Sequence, residues 1–548
     1  MNFISLNNTE QNMTPTIVSI LKKSNKEVSV QFQKGTYTFD KSGCFEGVFY
    51  PSNNKGGLKN VVFPIIEANN IVIDGNGSDF VFCDRIFPFV MKNSKNITIK
   101  NFSMDFSFER SFFAEVTGCD DEGIEFKYNE SLFDIFIDDE QNFCIGKDAN
   151  VFKTDLFLMR GSERNVKMGY ANAKYVSTKE DTNNKSKLPV STLKVSAEVL
   201  PGGKLSFKYR QNSQKVNYLI GMKIIFSLEG RENIMFFADN CENISFEDID
   251  IYRGAGMGIQ AQLSDNISAK NVRIIPKYER GDIVSVTADA FHFVNCSGKV
   301  TLSDCVVEGT SDDALNVHGV YTVVNKVVSD KCIEVKLNHY EQEGLIPYKP
   351  GDRIVISDAD SKNEKFECKI LSVEQGEDKF HILLNVDKEA GNMMKSDDFV
   401  ENPDRMPEVL VENCKIAACP HLRVSGNKKI ILRNNRISQI AGILIHDLID
   451  YWYESGRVKD VLIENNVIND SYNGILANGI HSNDLTVMHR NIVIKGNTIS
   501  TIGGYTLSVK GVDGLVFKNN IIKNINKSGP IMFEKCKNVI IEDNKYEV

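Results

Sequence analysis

One nine-residue pattern recurs along the whole chain and restricts the fold more than any other feature: an Asn or other polar residue, alternating β-formers, then a polar pair. Eleven copies can be read. They are "NIVIDGNGS" from Asn70, "NITIKNFSM" from Asn96, "NISFEDIDI" from Asn243, "NISAKNVRI" from Asn266, "KVTLSDCVV" from Lys299 and "EVLVENCKI" from Glu408. "KIILRNNRI" from Lys429, "DVLIENNVI" from Asp460, "NIVIKGNTI" from Asn491, "GLVFKNNII" from Gly514 and "NVIIEDNKY" from Asn538 complete the series. Uninterrupted copies follow one another every ~21–33 residues, a period of solenoid coils rather than of globular layers. Apolar/polar alternation inside each copy, with no helical periodicity between copies, selects an all-β parallel β-helix over helical solenoids. The Asn or Cys after the polar pair (Cys305, Cys414, Asn435, Asn466, Asn497, Asn520, Asn544) is expected to stack in one structural column, its amides hydrogen-bonding along the axis at the ~4.8 Å strand spacing.

The rhythm breaks twice, after Met104 and after Gly319. Both breaks hold short strands separated by Gly, Asp and Asn, such as "GIEFKYNESLFDIFI" and "DRIVISDAD", which suggest small antiparallel barrels inserted between rungs. The expected division is a cap and first rungs over 1–104, a barrel-like insertion over 105–235, central rungs over 236–318, a second insertion over 319–407 and last rungs over 408–548. "TPTIVSILKKSNKE" reads as a short amphipathic helix that plugs the N-terminal end of the stack, with Thr14 as cap and Pro15 in the first turn.

A second column of strands lies between the copies: "GIQAQ", "DAFHFVN", "DALNVHG", "HLRVSG", "GILIHD", "GILANG" and "TLSVKG". Strand side chains alternate between faces, so Phe291, Leu315, Leu422 and Ile443 point inward. Gln260, His292, Asn316 and Arg423 then point outward, and His318 and His446 belong to the neighbouring outward column. In this alignment Asp289 stacks on Asp313, with Asp312 diagonal to Asp289. Carboxylates about 4.8 Å apart repel, so that one tends to keep its proton. A protonated carboxyl beside an ionised one is what glycoside hydrolysis uses, an acid for the leaving oxygen and a base or nucleophile opposite. Stacked and diagonal pairs suit retaining and inverting spacings respectively, and the sequence does not choose between them. Calcium is the alternative use of three neighbouring Asp, without any 12-residue calcium loop to accompany them. In "DYWYESG", Trp452 could present an aromatic platform to a sugar or could anchor its loop, while Glu454 could accept from hydroxyls.

The net charge of −9 argues against nucleic acid as the main partner, because phosphate binding needs clustered Lys and Arg. The twelve Cys contain no C-x-x-C pair, and they read as buried free thiols rather than as a zinc site or a disulfide framework. No apolar run approaches the ~20 residues of a membrane span, and "MNFISLNNTEQNM" lacks signal-peptide design, so a soluble protein is expected. Its compartment is left open.

"GTSDDALNVHG", "DAFHFVNCSG", "DYWYESGRVKDVLIENN", "HRNIVIKGNTIS" and "IVIDGNGSDFVFCDRIFPFVMKNSKNITIKNFSMDF", in this order, resemble glycoside hydrolase family 110 over nearly the whole chain. That family comprises bacterial exo-acting α-1,3-galactosidases that remove terminal galactose, including that of the blood group B determinant. The resemblance implies a right-handed β-helix with barrel insertions and an inverting mechanism without metal or cofactor. It also implies a catalytic acid and base among Asp289, Asp312 and Asp313, their roles unassigned. The expected partner is a glycan with terminal α-galactose. Gln260, His292, Asn316, His318, Arg423, His446, Trp452 and Glu454 are the expected substrate-binding residues. A polygalacturonase-like enzyme is the runner-up, although its acidic substrate would ask for a more basic groove. A non-catalytic carbohydrate-binding β-helix is the third reading. Little sequence follows the last rung to cap it, which leans toward a homodimer.

Overall fold

The computed structural model describes residues 2–547 except 9, 24–26, 140–141, 148–149, 154–155, 163–169, 176–191, 211–212, 214, 217, 229–230, 390, 392, 448–450, 480–488 and 524–528. Its body is a parallel β-helix whose coils each contribute a strand to up to three sheets. The first sheet carries the repeated pattern. Asn69–Phe82, Lys95–Phe106, Glu242–Ile251, Asp265–Ile274, Ser297–Ser303 and Glu408–Glu412 pair in parallel in that order, and the stack runs on to Lys537–Glu542. Two strands, Asn2–Leu6 and Val28–Phe32, extend this sheet ahead of the first copy.

Inward residues form one continuous core from Met13 to Ile522. Near the N-terminus it is a pile of phenylalanine rings: Phe63 on Phe89 at 4.1 Å and Phe80 on Phe102 at 4.5 Å, both nearly parallel. Toward the C-terminus the same positions are Ile, Val and Leu.

Two Asn columns explain the pattern's polar letters. The leading Asn70, Asn96, Asn243 and Asn266 sit at φ of 54–57°, a left-handed corner that Asn tolerates better than most residues. Asn96 donates to Asn70, Asn243 to Asn96 and Asn266 to Asn243 through their side chains. The second column lies inside. Asn435 Oδ1 accepts from the Cys414 amide, and Asn466, Asn497, Asn520 and Asn544 each accept from the backbone and the side chain of the preceding Asn at 2.9–3.0 Å. Buried amides are thus satisfied within their own column.

The first break in the rhythm closes into a barrel of Ser111–Cys119, Gly123–Lys127, Leu156–Ser162, Tyr170–Tyr175, Thr192–Leu200, Lys204–Tyr209 and Lys223–Ser227, with one parallel pairing among antiparallel ones. The second closes into an antiparallel barrel of Thr322–Ser329, Cys332–Lys336, Arg353–Ser357, Glu364–Gln375, His381–Val386 and Phe399–Glu401. The helix Thr14–Lys23 buries Ile17, Val18 and Leu21. Thr14 does not cap it: its hydroxyl donates to the Asp40 carbonyl, while Asn12 Oδ1, two residues earlier, accepts the Thr14 amide. The expected continuation over 24–26 lies outside the described residues.

Candidate active site

The third sheet carries the outward row. Gln260, His292, Asn316 and Arg423 are paired in register on four successive strands, and Leu444 and Leu476 continue the row as apolar residues. The corners before these strands are locked rung to rung by Ala290 N to Asp313 O and Ser311 N to Val286 O, both 2.9 Å. Asp289, Asp312 and Asp313 therefore emerge together at one end of the row.

A cleft of about 110 Å³ opens there. It is on the scale of one sugar ring rather than of the ~300–1,000 Å³ pockets that take drug-sized ligands. Of the expected site residues it brings together Asp289, Asp312, Asp313, His292, Asn316, Arg423, Trp452 and Glu454. It adds Asn53, Arg231 and His421.

Three expected binding residues do not line it. Gln260 is fully buried behind the wall, because residues 50–56 lie across it: its Nε2 donates to Ser52 O and its Oε1 accepts from Asn54. His318 is fully buried behind His292. His446 lies beyond Ser425, where the short strand Glu454–Ser455 returns to pair with Gly319 and Val320 and closes the cleft's edge. The Asp450 end of the aromatic loop falls outside the described residues.

The carboxylates occupy different surroundings. Burial, then the charges of Asp312 and Asp313, push Asp289 well above the usual carboxylate range, and its Oδ2 lies 2.6 Å from His292 Nδ1. Burial works against the Asp313 charge too, but a hydrogen bond from His421 Nδ1 at 3.0 Å and the Arg423 guanidinium outweigh it and hold Asp313 below its ordinary value. Asp312 pairs with Arg231. Glu454 is buried, which disfavours its charge, yet its pKa lies below the ordinary value, favoured by the neighbouring His318 to the extent that it is charged and by the Arg423 guanidinium. Its Oε1 accepts from Asn53 and Asn316. Among the described residues Asn316 Oδ1 and Arg423 Nη1 are buried in this wall without a hydrogen-bond partner. Buried polar atoms are seldom left so.

The mouth is aromatic. Trp452 packs against His339 at 4.5 Å and Tyr451 at 5.2 Å, with the Arg231 guanidinium 5.5 Å from its ring. Tyr340 and Tyr451 are 66% and 59% exposed beside them. The second barrel supplies part of this rim: Gln342 donates to the Trp452 carbonyl, and the Glu341 carbonyl accepts from the Asn53 amide. The one group among the described residues whose ligand atoms could share a cation, Glu377, Asp378 and His381, is on that barrel and includes no cleft residue.

No protein-family profile matches the chain. The α-1,3-galactosidase A of Shewanella woodyi is 31% identical over 546 residues, covering 96% of this chain and 86% of that protein. The α-1,3-galactosidase B of Bacteroides thetaiotaomicron is 28% identical over 546 residues, covering 94% and 85%. Among solved structures, the A-module of a mannuronan C-5 epimerase from Azotobacter vinelandii aligns with a TM-score of 0.38 at 9% identity, over 96% of this chain and 93% of that one. Kinship of this extent with enzymes of one kind makes the chain a glycoside hydrolase. It belongs to the α-1,3-galactosidase family, glycoside hydrolase family 110.

Proposed function

We propose that this protein is an exo-acting α-1,3-galactosidase that releases terminal galactose from branched blood group B-type and linear Galα1-3Gal glycans with inversion at the anomeric carbon. The observation that carries this reading is the divided state of Asp289 and Asp313, neighbours on adjacent rungs of a cleft sized for one sugar.

Asp289, holding its proton, gives it to the glycosidic oxygen as the C1–O bond breaks and its electron pair passes to that oxygen. Asp313 takes a proton from a water whose oxygen forms the new bond to C1. Both Asp313 oxygens already accept a hydrogen bond, one from His421 and one from Arg423. A carboxylate so engaged is a poor direct nucleophile but keeps lone pairs for a water proton, which supports single displacement. Arg231 balances Asp312 beside them. Asn316, Arg423 and Glu454 hold the galactose hydroxyls, His292 backs Asp289, and Trp452 with its rim faces the sugar that leaves. Family membership supports the α-galactoside as substrate.

An NMR time course with Galα1-3Gal and with the fucosylated B trisaccharide tests this. β-Galactose should appear first and mutarotate afterwards. Initial α-galactose would refute inversion, and no galactose from either glycan would refute the substrate.

A further inference from the structure

Glu454 in the cleft wall and Trp452 at its mouth stand two residues apart, and the second barrel grips the chain on both sides of them. Tyr321, which leads into the barrel's first strand, donates its hydroxyl to Asp447 Oδ2 and its amide to the Tyr453 carbonyl, both at 2.8 Å. The turn at 339–342 sets the His339 ring 4.8 Å from Tyr451 and 4.5 Å from Trp452, and the Gln342 amide donates to the Trp452 carbonyl at 3.1 Å. On the far side Arg457 reaches into the barrel. Its Nη2 donates to Ser357 Oγ and to the Lys362 carbonyl, both at 2.7 Å, and its Nη1 donates to Glu364 Oε1 at 3.0 Å. Arg457 is 7% exposed, Tyr321 and Asp447 1% each. From these contacts we infer that the second barrel is the template on which Glu454 and Trp452 are set, with Tyr321 and Arg457 as positioning residues for both.

Backbone pairing alone is too short to do this. Glu454–Ser455 pairs with Gly319 and Val320 over two residues, and a small isolated pairing of two strands is marginal in water. Tyr453, next to it, holds a φ of 54°, a left-handed conformation that is costly for an aromatic residue and survives only where its surroundings enforce it. Those surroundings are Tyr321, Val323 and Phe399, the cluster against which Tyr453 packs. Because Trp452 and Glu454 flank Tyr453, the kink enforced there decides at once where the indole and the carboxylate lie.

The rival is that the coils seat this segment by themselves. They do hold it: the Ser425 hydroxyl donates to the Ser455 carbonyl at 3.2 Å, and Asn316 donates to Glu454. Both contacts fall at Glu454 or after it, whereas the kink and the indole lie upstream. Arg457 carries a second duty that governs the choice of variant. Burial pushes the Glu401 carboxyl up, and the Arg457 guanidinium, 3.8 Å from its Oε2, is the largest opposing influence. Removing that charge would leave a buried carboxylate alone and endanger the fold. Arg457→Lys keeps a charge and loses the fork of donors.

Trp452 is the only Trp of the chain, so its emission reports this segment without any substrate. Well below the melting transition, Arg457→Lys and Tyr321→Phe should each shift that emission to the red and raise its quenching by acrylamide about twofold or more, with far-ultraviolet circular dichroism unchanged. Ile382→Val, a truncation in the same barrel's core, should lower the melting temperature and leave the emission in place. An emission that either positioning variant leaves unmoved, or that Ile382→Val moves as far, would overturn the inference whether or not galactose is released. The kinetic arm rests on the proposed function, with Glu454 on the galactose. On an aryl α-galactoside, Arg457→Lys should lower kcat/KM by about 10- to 100-fold. In a Glu454→Gln background the same change should cost less than about threefold, since both substitutions then act on one group. Equal losses in the two backgrounds would likewise overturn it. Should the unaltered enzyme release no galactose, the proposed reaction falls, and the Trp452 emission still decides what holds the segment.

Discussion

Asp289 and Asp313 are the same residue one rung apart, and their neighbours send them in opposite directions. In the proposed roles Asp289 acts below its raised pKa and Asp313 above its lowered one, so kcat/KM should trace a bell whose alkaline limb belongs to Asp289 and whose acid limb belongs to Asp313. Asp289→Asn should remove the alkaline limb and lower kcat by roughly 10²–10⁴-fold, as should Asp313→Asn for the acid limb. The raised group also leaves a mark on stability. What Asp289 contributes to folding is fully present below the ordinary carboxylate pKa and is lost as pH rises through its folded value. An Asn there cannot ionise. Thermal melts should therefore show Asp289→Asn matching the unaltered protein near pH 4 and exceeding it in alkaline buffer. The acidic cluster, His292, Asn316 and Arg423 were legible in the sequence because strand alternation fixes which side chains share a wall. Asn53 and Arg231 were not, since each lies on an irregular connection whose path no periodicity encodes. His421 opened a recognised strand, but its imidazole reaches one rung back to Asp313, a reach that depends on rotamer rather than on spacing.

At the scale of the coil, the eleven copies located the first sheet, while the structure supplies the reason for their letters. In "LRNN", "IENN" and "FKNN" the first Asn adopts positive φ, at Asn434, Asn465 and Asn519, and the second turns inward to accept the amide above. Asn466→Ala should strip the Asn435 amide of its acceptor and cost about 1–3 kcal/mol, read by denaturant unfolding with kcat and KM unchanged. The helix Thr14–Lys23 shows the opposite case. Its apolar face was readable from spacing, whereas its cap was not, because the Thr14 hydroxyl found a stronger tertiary use on Asp40. Gln260 illustrates the same limit: alternation correctly faced it outward, and residues 50–56 then covered it.

Across the whole molecule, the site is gathered from rungs, a hairpin connection and the second barrel, segments hundreds of residues apart. That barrel touches the rim through His339, Tyr340 and Gln342, on the side proposed for the leaving glycan. His339→Ala or Trp452→Ala should raise KM several-fold for the B trisaccharide, and alter KM much less for an aryl α-galactoside whose leaving group is not a sugar. Equal losses on both substrates would assign these rings to the galactose itself. The partner of His318 Nδ1 is a peptide oxygen, that of Gly319, which no side-chain substitution can delete. The vulnerability passes instead to the space around it: a Cβ on Gly319 would come within 2.3 Å of Met406 Cε and 2.4 Å of Ser455 Oγ. Any side chain at position 319 thus has to displace the ends of Met406 or Ser455, one rung from Asp289.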